Sequence, residues 1–339
     1  MPRYAIHNLT KRFGRVTALD GVSLDAAGGE FVVVLGPTGA GKTTLLRTVA
    51  GLERADAGTI TADGADVSAL VPAARDMAMV FQNFSLYPRL SVYDNLAFPL
   101  RPRWRRIAAD EIDRRVKWAA ELLGLTPKLA SRPTELSGGQ QQRVAIGRAI
   151  VREPQLFLFD EPLASLDAKL REQLAVEIHR LQRRLGVTML YVTHDQTEAM
   201  SLADRVVVLD QGRVLQVGTP DEVYTRPASP RVARMLGSPP INLLDREQAS
   251  LLGIAPQQGS ASAETFGLRP EHVTLIPAQP NAGRARVLVA EHLGPVTVVL
   301  LEAHGVRLRS TVPPTHPAKF GDTFDLRVDP KHVLTWNHK

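Results

Sequence analysis

The chain has 339 residues, 44% of them hydrophobic, enough for two domains of ordinary size with real cores. It has no cysteine, which excludes a disulfide framework, a thiolate metal site and a cysteine nucleophile. The net charge of +6 comes from scattered arginines with no basic block interleaved with aromatics, so no nucleic-acid surface is expected.

Met1-Pro2-Arg3-Tyr4 opens the chain without an apolar segment, so a signal peptide is not expected. No apolar run approaches the ~18 residues that a membrane span needs. A role at a membrane therefore runs through partner chains. Residues 4 to 35 alternate polar and apolar with turn signals, which predicts a small β-region; Phe13 lies in it. Phe31-Val32-Val33-Val34-Leu35 suits a buried strand, and Thr44 to Ala50 suits the start of a helix. Between them, Gly36-Pro37-Thr38-Gly39-Ala40-Gly41-Lys42-Thr43-Thr44 fits G-x-x-x-x-G-K-[ST], a phosphate-binding loop. Gly36, Gly39 and Gly41 give backbone freedom, so that successive N–H groups can turn on phosphates at a helix N-terminus. Lys42 places a positive charge on the β- and γ-phosphates, and the Thr43 hydroxyl is the expected Mg²⁺ ligand.

Met77 to Phe81 reads as a second strand, ending at Gln82, and residues 90 to 130 read as helical. Leu136-Ser137-Gly138-Gly139-Gln140 precedes a helical run from Gln141 to Val151. A serine and two glycines opening a helix make a second anion site. Leu156-Phe157-Leu158-Phe159 is another strand, and it sets Asp160 and Glu161 at its end, next to the phosphate loop. Asp160 suits a Mg²⁺ held through water, and Glu161 suits the general base that positions an attacking water. By itself such an acid pair often only caps the following helix. Ala168 to Leu185 carries leucines and Ile178 at helical spacing. Thr188 to Thr193 is a strand followed by His194-Asp195, and residues 206 to 217 read as a hairpin around Asp210-Gln211-Gly212. Near residue 236 the texture changes. Beyond Gly237-Ser238-Pro239-Pro240 the chain shows short strands separated by Pro and Gly, which predicts an all-β domain of barrel type.

The order of these motifs resembles the ABC-transporter ATPases, whose signature is Leu136-Ser137-Gly138-Gly139-Gln140. The resemblance implies an α/β phosphate-loop ATPase domain with a helical subdomain over residues 1–235, then a smaller OB-like barrel with a regulatory role over 236–339. It implies ATP and Mg²⁺ as ligands and a functional dimer, of two copies or of two paralogues. In that dimer the Ser137 loop of one subunit closes on the γ-phosphate held by the other. Gln82 resembles the Q-loop glutamine near Mg²⁺ and the lytic water. Ala164-Ser165-Leu166-Asp167 resembles the D-loop at the dimer interface, with Asp167 also a candidate helix cap. His194 resembles the switch histidine that donates to the γ-phosphate. Phe13 resembles the aromatic that stacks on adenine, the alternative being a core residue.

Val80 to Pro88, Val192 to Met200, Gly237 to Leu244 and Gly267 to His272 resemble the carbohydrate-importer branch, which implies two membrane permeases and, indirectly, an extracytoplasmic solute-binding protein. The expected place is the cytoplasmic face of the inner membrane, peripherally bound, with the permease surface around Phe84, Tyr87, Leu90 and Val92. A sugar, polyol or glycerol derivative is the expected cargo; polyamine, sulfate and ferric ion are the alternatives. A rival class is an ABC ATPase acting on nucleic acid or the ribosome. It is disfavoured by the single ATPase domain and by the scattered Phe266, Phe320, Phe324 and Trp336, which form no stacking platform.

Overall fold

The computed structural model describes residues 2–102, 105–254, 263–278 and 285–337, in two compact units, Met1–Pro220 and Asp221–Lys339. The first unit is built on a six-stranded sheet in the order Arg213–Gly218, Arg205–Asp210, Phe31–Leu35, Thr188–Thr193, Leu156–Asp160, Met77–Val80. All neighbours pair in parallel except the Arg213–Gly218 edge, which turns back through Gln211 and Gly212 with φ of 46° and 75°. Positive φ at both central residues matches a two-residue hairpin to the twist of its strands. Phe31–Leu35, Leu156–Asp160 and Thr188–Thr193 are buried at every position, which is why their sequences are continuous apolar runs and not alternating ones.

An antiparallel sheet, ordered Val16–Ala26, Tyr4–Phe13, Ala57–Ala62, Ala65–Asp66, forms the second layer. Helix Lys42–Ala50 ties both sheets into one core: its Leu45, Leu46 and Val49 pack with Ile6, Leu9, Leu19, Val32 and Val34. A separate core joins helices Val92–Ala97, Ala109–Leu122 and Gly138–Ile150 through Leu96, Val116, Ala120 and Val144. The helical stretch read over 90 to 130 is thus broken, with 3₁₀ turns at Phe98–Leu100 and Thr126–Lys128. Pro99, Pro102 and Pro127 lack the N–H that a continuous helix needs, and Gly124 takes a φ of 65°.

Among its described residues the second unit is mainly β, with short helices at Pro230–Arg234 and Arg246–Leu251, 3₁₀ turns at Pro270–His272 and Pro330–His332, and Pro220–Thr225 at its start. Asn242–Asp245, Thr265–Leu268 and Leu334–Trp336 form one antiparallel sheet. Val273–Pro277, Thr323–Val328, Ala285–His292, Thr297–Ala303 and Val306–Val312 form another, also antiparallel. Packing groups Pro220–Thr225 and Pro230–Arg234 with these sheets, ahead of the change in sequence texture at 236. Arg269 supplies the reason. Its guanidinium donates to the carbonyls of Tyr224 (2.8 Å), Ala233 (3.2 Å) and Leu236, and lies 4.0 Å over the Tyr224 ring. One side chain beside Thr265–Leu268 thus caps the C-terminal ends of both helices.

Candidate active site

Three strand ends converge at the site. Gly36–Thr44 follows Phe31–Leu35, the acids close Leu156–Asp160, and His194 follows Thr188–Thr193. Ligand sites in open parallel sheets lie at this edge, beyond the carboxyl ends of the strands. The His194 strand runs between the other two, so the acid pair sits one strand away from the phosphate loop. Side chains bridge the gap. Thr43 Oγ1 donates to Asp160 Oδ1 at 2.9 Å. Lys42 Nζ lies 3.1 Å from Glu161 Oε1, and His194 Nδ1 lies 2.9 Å from Glu161 Oε2. A carboxylate only accepts, so the His194 proton sits on Nδ1.

The loop shapes itself for this. Gly39 and Gly41 take φ of 81° and 102°, and Gly41 starts helix Lys42–Ala50. Gly36 is glycine for another reason: a Cβ there would lie 2.2 Å from the Leu209 carbonyl oxygen. Pro37, Thr38 and Gly39 form the exposed tip, and Ala40 is buried behind them. Lys42 is only 4% exposed, and its three N–H groups are all engaged, by the carbonyls of Gly36 and Pro37 at 3.0 Å each and by Glu161. Thr44 continues the helix and accepts at its carbonyl from Thr48 Oγ1.

Asp160 is 7% exposed, and burial raises its pKa, with the neighbouring Glu161 charge adding to the effect against the Thr43 hydrogen bond. Among the described residues no lysine or arginine forms an ion pair with it. A buried carboxylate oxygen beside a hydroxyl oxygen is a donor set that a hard cation fits. Glu161 takes a φ of 44°, unusual for a non-glycine residue, and its N–H donates to the Val192 carbonyl at 3.1 Å. That redirection turns its side chain toward both Lys42 and His194. Backbone strain of this kind costs about 1–3 kcal/mol and persists where the surroundings fix it.

The signature segment lies on a different element. Ser137 caps helix Gly138–Ile150: its hydroxyl accepts from the Gln140 N–H at 3.4 Å, and Gln140 Oε1 accepts from the Ser137 N–H at 3.1 Å. This is a capping box. The two glycines leave room for Leu166 and for Leu170 in the first turn of helix Ala168–Leu185. A Cβ at Gly139 would meet the Leu170 methyls at 2.9 Å, and one at Gly138 would meet Leu166 at 3.2 Å. Asp167 caps helix Ala168–Leu185 by accepting from the Leu170 N–H at 3.0 Å. Among the described residues no hydrogen bond joins Ser137–Gln140 to the phosphate loop. Gln82 is exposed in the turn after Met77–Val80 and has no hydrogen bond to Thr43, Asp160 or Glu161. Phe13 is 46% exposed at the end of Tyr4–Phe13, with Lys11 Nζ 5.0 Å from its ring, so it is not a core residue. Val92 is fully buried in the helical core and so is no part of a docking surface, whereas Tyr87 is 39% exposed.

Two supporting residues escaped the sequence reading. Arg75 is buried and donates to the carbonyls of Thr48 (2.9 Å) and Val49 (2.7 Å), capping the helix that the phosphate loop starts. Its only local signal is Gly51, where a Cβ would lie 2.7 Å from Arg75 Nε. Glu198 accepts from the Tyr191 hydroxyl at 2.7 Å in the core behind His194, where burial raises its pKa. It lies in the Val192 to Met200 stretch that carries the family resemblance, but nothing there marks its contact with Tyr191.

Residues 19–164 match the ABC transporter family, and residues 266–336 match the TOBE domain. The sn-glycerol-3-phosphate import ATP-binding protein UgpC of Cupriavidus pinatubonensis is 46% identical, over 98% of this chain and 96% of its own length. UgpC of Ruegeria pomeroyi is 52% identical, over 87% and 85%. The trehalose/maltose import ATP-binding protein MalK of Thermococcus litoralis is 45% identical, over 95% and 94%. A solved nucleotide-free ATP-binding cassette from an ABC transporter superposes with a TM-score of 0.61 at 26% identity, over 69% of this chain and 98% of that one. With the phosphate loop, the acid pair and the signature helix in place, the chain belongs to the ATP-binding, ATP-hydrolysing proteins of the ABC transporter family and carries a TOBE domain behind its ATPase unit.

Proposed function

We propose that the chain is the ATPase subunit of a binding-protein-dependent importer for a sugar, polyol or glycerol derivative, working as a dimer on two membrane permeases. The observation that carries the catalytic reading is the Glu161 carboxylate, held at once by Lys42 and His194. In this reading Glu161 is the general base that takes the proton of the attacking water. Lys42 exchanges its loop carbonyls and Glu161 for the β- and γ-phosphates, and His194 turns to donate to the γ-phosphate. Phe13, exposed and with a cation beside it, takes the adenine face. Pro37, Thr38, Gly39 and Ala40 bring backbone N–H groups to the phosphates, and Thr43 and Thr44 follow at the helix N-terminus. Asp160 and Thr43 would hold Mg²⁺, with Gln82 a further candidate ligand. Bound there, the ion would supply positive charge against that of the phosphates.

Ser137, Gly138, Gly139 and Gln140 sit on a separate helix, which supports action in trans on the second subunit's nucleotide, with Asp167 at the interface. The cargo class rests on the names of the relatives, whose imported solutes are glycerol 3-phosphate, trehalose and maltose. Among the described residues no helix is long and apolar enough to cross a membrane, so attachment to the cytoplasmic face runs through the permeases.

The test mixes two variants. Glu161→Gln keeps the size and hydrogen bonding of the side chain but removes the proton acceptor. It is expected to lower hydrolysis by about 10²–10⁴-fold and to elute as a dimer with Mg-ATP. Ser137→Arg places bulk and charge where the facing γ-phosphate docks, and is expected to stay monomeric. A mixed dimer loses only the composite site to which the Ser137→Arg subunit lends its signature loop. Wild-type hydrolysis by Glu161→Gln removes Glu161 as the base.

A further inference from the structure

The segment after Gln82 is held in an unusual backbone conformation by a single cation from the signature helix. Phe84 and Ser85 take φ of 58° and 49°, two consecutive non-glycine residues in the left-handed region. Such conformations persist only where neighbouring groups fix them. Arg148 does so: Nη1 donates to the Ser85 carbonyl at 2.6 Å and Nη2 to the Phe84 carbonyl at 3.0 Å. The same guanidinium lies 5.4 Å from the Tyr87 ring, which packs on Phe98 with centroids 4.3 Å apart. Tyr87 and Phe98 are 39% and 43% exposed, an aromatic pair open to solvent. Among the described residues no carboxylate pairs with Arg148, so its charge is spent on two carbonyls and a ring. Burial correspondingly lowers its pKa.

The far end of that helix matters. Gly138–Ile150 has Ser137 as its N-cap and Arg148 in its last turn. A helix of this length moves as a rod, and Gly147 seats it tightly, since a Cβ there would lie 2.6 Å from Leu96. A second clamp acts on the same loop from elsewhere. Asn95, fully buried in helix Val92–Ala97, accepts from the Tyr87 N–H at 2.9 Å and donates to the carbonyls of Tyr87, Leu90 and Ser91. Asn95 fixes the loop to the helical core. Among the described residues, Arg148 supplies the side-chain hydrogen bonds that fix it to the element carrying the signature serine, beside the packing of Leu86 on the core that includes Val144.

We propose that Arg148 is the positioning residue that couples displacement of the signature helix to the Phe84–Tyr87 loop, and through it to the aromatic surface where the permeases dock. The inference deepens the importer reading above and rests on it for the identity of the docked partner. Arg is needed because its planar fork bridges two carbonyls while stacking on a ring; a lysine has one point charge and cannot do both.

Arg148→Met and Arg148→Lys test this in two assays. In vesicles carrying the chain with its permease pair and binding protein, labelled sn-glycerol 3-phosphate and maltose are the probes. Arg148→Met is expected to lower uptake by about 2- to 30-fold while the isolated subunit keeps its kcat and KM for ATP. Arg148→Lys is expected to fall between. Parallel loss of uptake and isolated ATPase, or full uptake, overturns the proposal. The second assay needs no permease. Amide hydrogen exchange across residues 82–87 is followed on adding a non-hydrolysable ATP analogue to the isolated chain. Wild type is expected to change its exchange there, and Arg148→Met to lose that response while still binding the analogue. An unchanged response in Arg148→Met refutes the coupling. If wild type supports uptake of neither probe, the cargo or importer reading fails while the exchange result still decides the role of Arg148.

Discussion

Asp160 and Glu161 are adjacent, yet their surroundings differ. Asp160 is the more buried, and burial raises its pKa above the ordinary carboxylate value. A raised folded-state pKa means that the contribution to stability is complete below the unfolded value of 3.8 and is lost as pH rises through the folded one. Above its folded-state pKa the ionised Asp160 therefore costs ligand-free stability. Asp160→Asn keeps an acceptor for the Thr43 hydroxyl and drops the charge. Its melting temperature without nucleotide is expected to rise, by about 2–4 °C per kcal/mol relieved, while Mg-dependent hydrolysis is lost. Calorimetry across pH checks this: the gain should shrink toward acid, and equal gains at pH 3 and pH 7 would remove desolvation as its cause. Glu161 differs in holding Lys42, so under the proposed role of Lys42 it competes with phosphate for that cation. Besides slowing hydrolysis, Glu161→Gln is expected to tighten nucleotide binding by up to about fivefold, the weight of an ion pair worth about 1 kcal/mol. Titration calorimetry with Mg-ATP reads it; weaker binding means that the carboxylate supports the loop and does not compete.

At the scale of elements, the legible parts of the chain were those whose signal is local. Continuous apolar runs marked Phe31–Leu35, Leu156–Asp160 and Thr188–Thr193, because strands covered on both faces have no polar alternation to lose. Helix Ala168–Leu185 announced itself by spacing and by Asp167 at its start, and the structure adds Gly186 as its C-cap. The break at Phe98–Leu100 is hard to read because the apolar spacing continues across Pro99. Arg75 and Arg269 were invisible for a deeper reason: each caps helices from a remote position in sequence, and capping by a distant guanidinium leaves no local pattern. The same limit applies to the proposed docking surface, where a run of apolar residues hides one side chain turned inward, Val92, and one turned outward, Tyr87. Tyr87→Asp puts a charge on the exposed side of the Tyr87–Phe98 pair. Transport is expected to fall to background while the isolated subunit hydrolyses ATP at the wild-type rate. Loss of both activities together would place Tyr87 among the groups that hold the fold.

At the scale of the whole molecule, the sequence divides by texture and the structure by packing, and the two disagree over a short stretch. Texture changes at Gly237–Pro240, whereas the compact units part after Pro220. The helices between belong with the β-unit by their chemistry. Val223, Val232, Ala233 and Leu236 are fully buried, and the carbonyls of Tyr224, Ala233 and Leu236 converge on Arg269. A fragment ending after Leu236 keeps these helices but deletes Arg269 and the sheets around it. Each large apolar side chain that it uncovers costs about 1.5–3 kcal/mol of burial, and the helix ends lose their donor. A fragment ending after Pro220 keeps the first compact unit whole, and it retains every residue proposed to bind ATP and Mg²⁺. The shorter fragment is therefore expected to melt in one cooperative transition, stay monomeric without nucleotide and bind Mg-ATP like the full chain. The longer one is expected to aggregate or to melt with an added low-temperature phase. Calorimetry and light scattering on the pair decide it. If the fragment ending after Leu236 is the more stable, the two helices complete the ATPase unit; if the shorter one folds but binds no nucleotide, residues beyond Pro220 take part in the site.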